Sequence, residues 1–93
     1  MNPIHTLECT LKNHTLEELG KMLPAYFMGG ELKQTKYHLE IGRVYDQHEW
    51  YVRYVNNDVH NTFHIEWGND EAESRIAMLC WLHRNGFIRI KGF

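Results

Sequence analysis

The chain lacks most of what marks an enzyme or a membrane protein. Only two cysteines occur in 93 residues, Cys9 and Cys80, far apart and without a CxxC spacing, a pattern that points to buried reduced thiols rather than a disulfide or a thiolate metal site. The seven glycines form no phosphate-binding loop, since Gly29-Gly30 and Gly42 stand isolated. The longest wholly apolar run, Ile76 to Leu82, is far too short to cross a bilayer. The start, Met1-Asn2-Pro3-Ile4-His5, has neither the basic beginning nor the apolar core of a signal peptide. These absences lead us to expect a soluble cytoplasmic protein with no membrane partner. Ten Lys and Arg against twelve Asp and Glu give a net charge of -2 with no block of like charge. Bulk charge therefore does not favour binding to a nucleic-acid backbone. The length suits one domain, residues 1–93, and the 43% hydrophobic content suffices for a single core.

What is present is alternation. In Trp50, Val52 and Tyr54, and again in Phe63, Ile65 and Trp67, every second residue is large and apolar, as a strand covered on one side requires. The same rule predicts a first strand over Ile4 to Leu11, with Leu7, Cys9 and Leu11 on one side. Thr15-Leu16-Glu17-Glu18 matches a capping box and predicts a helix whose stripe is Leu16, Leu19, Leu23, Tyr26 and Phe27. Pro24 ends or kinks it, leaving Ala25 to Met28 as a further turn closed by Gly29-Gly30. Three strands follow, Leu32 or Thr35 to Val44, Glu49 to Val55 and Val59 to Trp67, joined by turns at Asp46-Gln47 and Asn56-Asn57-Asp58. A capped helix begins at Asn69-Asp70-Glu71 and stops at Asn85-Gly86-Phe87, and Ile88 to Ile90 could add a last strand.

The predicted fold is α+β: an antiparallel meander of three central strands plus one or two edge strands, with two helices on one face, in the order β-α-β-β-β-α-β. Register follows from keeping apolar residues together, because a slip of one residue turns a whole strand over. Leu39 should pair with Tyr54, Ile41 with Val52, and Val52 with Phe63. The outer face then carries three rows: His38, Val55 and His60; Glu40, Arg53 and Thr62; Gly42, Tyr51 and His64. Trp50, Trp67 and Trp81 all fall on apolar stripes and are expected in the core.

No catalytic, cofactor or metal-binding motif accompanies this surface. His60 and His64 are four apart, but on a strand that is about 13 Å, so they cannot chelate together. Glu49 and Glu66 would face each other on the outer face, with no nucleophile or oxyanion hole nearby. The residues left as candidates are a binding set: Tyr51, Arg53, His60, Thr62, His64, His38 and Glu40, centred on Tyr51 and Arg53 because Tyr and Arg are favoured at interface hot spots. A competing surface is the loop Pro24 to Glu31, where Tyr26, Phe27 and Met28 cannot all face inward.

The segment Asp70 to Ile88, with its acidic cap, its apolar helix and the stop Asn85-Gly86-Phe87, resembles the closing helix of many small orphan proteins encoded by phages and prophages. The resemblance covers about a fifth of the chain and implies an accessory phage product. Such proteins, anti-CRISPR proteins among them, work by occupying a partner's surface rather than by catalysis. The expected function is thus a noncatalytic protein-binding module, an inhibitor of a host defence complex, whose partner is a host protein or complex. The alternatives are a nucleic-acid-binding module using the outer sheet face, with Tyr51 stacking on bases, and a small hydrolase or metal enzyme built on the histidines.

Overall fold

A computed structural model describes residues 3–29, 34–45 and 49–93, with side chains from Thr6 onward. The expected strand start at Leu32, the Gly30 stop, the Asp46-Gln47 turn and the Glu31 end of the competing loop lie outside the described residues. The elements are α1 (Pro3–Leu11), α2 (Leu16–Met22), β1 (Tyr26–Gly29), β2 (Thr35–Val44), β3 (Glu49–Asn56), β4 (Asn61–Gly68) and α3 (Glu71–Arg84). The strands form one antiparallel sheet in the order β1-β2-β3-β4. This is the expected α+β architecture, an antiparallel meander with its helices gathered on one face. Its ends differ from expectation, since the observed order is α-α-β-β-β-β-α.

Three segments account for the difference. Ile4 to Leu11 is helical: Leu7 and Leu11, four apart, are buried, while Cys9 between them is exposed. That is the helical period, not the strand period, so the expected burial of both cysteines holds only in part, with Cys80 half-buried. Ala25 to Met28 is not a helical turn. Leu23 leaves α2 in an extended conformation (φ -78°, ψ 124°), the geometry a residue before proline prefers, and the chain runs straight into β1. Phe27 turns inward onto Tyr54, with ring centroids 4.7 Å apart. Tyr26 and Met28 turn outward. At the other end, Ile88 to Ile90 forms no strand. Ile90 is buried, and its amide donates to His83 Nδ1 at 3.4 Å, folding the tail back on α3.

The N-caps of α2 and α3 and the stop of α3 are where the sequence placed them. Thr15 Oγ1 accepts from the Glu18 amide at 3.1 Å, and Glu18 Oε1 accepts from the Thr15 amide at 2.9 Å. Asp70 caps α3 by accepting from the Glu73 amide at 2.7 Å. At its far end the Phe87 amide reaches Leu82 O and the Gly86 amide reaches His83 O, a Schellman motif made possible by Gly86 at φ 78°. Arg75 joins α2 to α3, donating to Leu16 O at 2.7 Å and to Glu71 Oε1 at 3.0 Å.

The core lies between the sheet and α3, built from Leu19, Tyr37, Val52, Tyr54, Leu79 and Leu82 with their neighbours. The Tyr54 hydroxyl has no access to water and donates to Pro24 O at 2.8 Å, and burial pushes the phenol well above its ordinary range. The β2/β3 register is the expected one, with Leu39 opposite Tyr54 and Ile41 opposite Val52. The β3/β4 register is not. Val52 faces Glu66, Tyr54 faces His64 and Val55 faces Thr62, so one step on β3 spans two residues on β4. Phe63 is the extra residue of a β-bulge, whose two-against-one geometry puts both Phe63 and His64 on the inner side. Beyond the bulge every β4 residue faces opposite to expectation. Glu66 is inward, and Ile65 and Trp67 are outward.

Candidate functional site

The helices leave the other face of the sheet uncovered among the described residues, and its side chains follow from the register. Gly42, Tyr51 and Trp67 form one row, Glu40, Arg53 and Ile65 the next, and Tyr26, His38, Val55 and Thr62 a third. Met28 and Lys36 close the face at the β1 end.

Glu40 is its electrostatic centre. One carboxylate oxygen, Oε1, accepts from the Tyr51 hydroxyl at 2.9 Å, from Arg53 Nε at 2.9 Å and from Arg53 Nη2 at 2.8 Å. Donating to that carboxylate holds the Tyr51 phenol above its ordinary pKa, helped by partial burial and opposed by Arg53. The Tyr51 ring lies across Gly42, where a Cβ would come within 2.5 Å of Tyr51 Cζ. No other residue leaves room for that pose. The edge-to-face contact with Trp67, at 5.6 Å and 60°, fixes the ring's other side, and the Arg53 guanidinium sits 5.6 Å from the Tyr51 centroid. Trp67 remains 45% exposed, Tyr26 50% and Met28 45%. The face thus combines aromatic rings open to contact with polar groups already locked in place, so little side-chain freedom is left to lose on binding.

Of the seven expected site residues, the structure brings Tyr51, Arg53 and Glu40 into direct contact. His38 and Thr62 share the face but flank Val55. His60 occupies the β3/β4 turn at φ 51° and is exposed, outside the row predicted for it. His64 does not belong to the face. It stacks on the Trp81 ring at 3.6 Å and 10° and hydrogen-bonds Glu66 at 2.5 Å, on the helix side. The expected Glu49/Glu66 pair is likewise split, Glu49 facing outward opposite Val44 and Glu66 inward opposite Val52. Trp67, expected in the core, is the most prominent aromatic next to Tyr51. No glycine, proline or turn residue announces the bulge that moves it. Tyr26 and Met28 could be found, because three successive large residues cannot all point inward.

Elsewhere, no three His, Cys, Asp or Glu side chains converge among the described residues. Burial pushes the Cys80 thiol up to about 11, which keeps it protonated near neutral pH and ill suited as a nucleophile. A groove of about 430 Å³ between α1 and the start of α3 is lined by Glu8, Lys12, His14, Asp70, Glu73 and Ile76, and Asp70 there is already committed to capping. Among the described residues no helix is long and apolar enough to cross a membrane. No family model matches the chain, and neither curated proteins nor solved structures yield a match.

Proposed function

We propose that this protein is a noncatalytic protein-binding module of the cytoplasm that docks its partner on the uncovered sheet face. The observation that carries the reading is Trp67, half exposed and braced edge-on by Tyr51 beside an Arg53 that Glu40 holds rigid. Exposed Trp, Tyr and Arg with preset geometry are the residues that concentrate binding energy in protein interfaces. Arg53 also argues against nucleic acid on this face, because its charge is already neutralised by Glu40 rather than offered to phosphate. The histidines do not favour an enzyme: His64 is stacked under α3, and His38 and His60 lie on separate parts of the surface. Inhibition of a host defence complex, which the resemblance of the closing helix implies, is a task such a face would serve.

The test is capture of partners from nuclease-treated lysate, followed by reconstitution with the purified partner. Trp67→Ala and Tyr51→Ala should each weaken the complex at least tenfold while circular dichroism stays unchanged. Retention abolished by nuclease would transfer the reading to nucleic acid. A partner bound equally well by wild type and Trp67→Ala would overturn the face.

A further inference from the structure

The net charge of -2 conceals a separation. From Ser74 onward the chain carries four of the ten Lys and Arg and none of the twelve Asp and Glu. Arg75 is spent inside the fold on Leu16 and Glu71. The other three, Arg84, Arg89 and Lys91, are exposed, and among the described residues no carboxylate pairs with them. The fold gathers them at one end. The Schellman turn reverses the chain at Gly86, the Ile90 amide is drawn to His83, and the Phe93 ring lies 6.5 Å from the His83 ring. Burial of Ile90 leaves its neighbours Arg89 and Lys91 facing water. The helix dipole accounts for Arg84 in the last turn of α3. It does not account for Arg89 and Lys91, which lie beyond the helix. In the same terminal stretch, Phe87, stacked on Trp81, is 43% exposed and Phe93, edge-on to His83, is 38% exposed.

We propose that this end of α3 is a second binding surface, for a single-stranded nucleic acid. The three cations meet phosphates, and the exposed parts of Phe87 and Phe93 offer ring surface to bases, the combination by which single strands are held without sequence preference. An acidic polypeptide would answer the charge alone and leave the exposed rings without a role. The surface is on the helix side of the sheet, opposite Trp67, so it stands or falls independently of the protein-docking face.

Fluorescence anisotropy of a labelled oligothymidylate 12-mer tests it. Three single-strand phosphate contacts give a slope of log K against log salt of about -2, hence roughly a 100-fold loss of affinity between 20 and 200 mM salt. Arg89→Ala and Lys91→Ala should each lower the slope by about 0.7, and the triple variant with Arg84→Ala should not bind. Phe93→Ala should weaken binding about fivefold or more. Lys21→Ala, which removes a cation paired with Glu17 on α2, should bind as wild type. Absence of binding at 20 mM salt, or a triple variant that binds normally, would overturn the proposal. So would equal competition by a polyglutamate peptide, which would make the surface a dock for an acidic protein.

Discussion

Replacing glycine by alanine at three positions should produce three different losses, ordered by what each new methyl meets. At Gly68 the Cβ would come within 2.8 Å of the Glu73 carbonyl carbon and 2.9 Å of Ser74 Cα, and closer still to the Ser74 amide nitrogen. All three are backbone atoms of the first turn of α3. That turn cannot retreat alone, because α3 is anchored further along by Ile76, Met78, Leu79 and Leu82, every one buried. Gly68 cannot retreat either, being paired with Trp50. Forcing atoms into a packed site costs about 1 to 3 kcal/mol, and with backbone on both sides Gly68→Ala belongs at the upper end, about 3 kcal/mol. At Gly42 the three atoms nearest the methyl all belong to the Tyr51 side chain, which can swing out, losing one hydrogen bond to Glu40 and one aromatic contact. The cost there should be about 1 to 2 kcal/mol. At Gly20 it meets Arg75 Nη1 at 2.8 Å, the far end of a flexible side chain, while the helix gains close to 1 kcal/mol from alanine. The net effect should be near zero. Urea denaturation followed by tryptophan fluorescence gives all three values. A loss at Gly42 equal to or greater than that at Gly68 would refute the assignment of one to a surface row and the other to a helix–sheet junction.

Other outcomes follow from single groups. In a Cys9→Ser background, Cys80 should alkylate slowly at pH 8, with only about one thiol in a thousand ionised, and its rate should rise with pH and level near 11; levelling near pH 9 would mean the thiol is not desolvated. Glu40→Gln should bring the Tyr51 phenol down toward its ordinary value, since the carboxylate is the main cause of its elevation; NMR titration of the Tyr51 ring reads this directly. Thr15→Ala should cost about 1 kcal/mol and raise the Glu18 carboxyl only part of the way back to its usual range, because alanine removes the hydroxyl but keeps the residue-15 amide, the larger of the two causes that lower it. Because that carboxyl is depressed in the folded state, its contribution is present above the unfolded value and is lost as pH falls through the folded one. Val52→Ala should cost about 2 to 4 kcal/mol and Thr62→Ala less than about 0.5 kcal/mol, and equal losses would contradict the faces assigned to β3 and β4.

Where a local pattern allowed one physical solution, it was legible from residues alone. The capping box at Thr15, the stop at Gly86 and the pairing of Leu39 with Tyr54 each rest on neighbours within a few positions or on an apolar set that only one register keeps dry. Leu7, Cys9 and Leu11 allowed two solutions, because residues spaced by four satisfy a helix as readily as a strand, and the choice was made by tertiary packing on α3. The candidate site was half legible. Glu40, Tyr51 and Arg53 lie on β2 and β3, whose mutual register was determined by alternation. Trp67 and His64 exchanged faces because one inserted residue at Phe63 inverts everything after it, and the aromatic contacts that reward Phe63 inside, with Tyr37, Trp81 and Phe87, come from three distant parts of the chain.

The bulge bears also on how the protein behaves in a crowd. β4 is the last strand of the sheet and eight residues long, enough to serve as a template on which a stray chain could add. The irregular step at Phe63 interrupts the even spacing of its outer amides and carbonyls. The inward-facing Glu66 and His64 would set polar side chains against the apolar underside of any intruding strand. β1, at the opposite border, offers four residues among those described. The β4 border is therefore a poorer seed for polymerisation than a regular eight-residue strand would be, on the same sheet that presents Trp67, Tyr26 and Met28 on its open face.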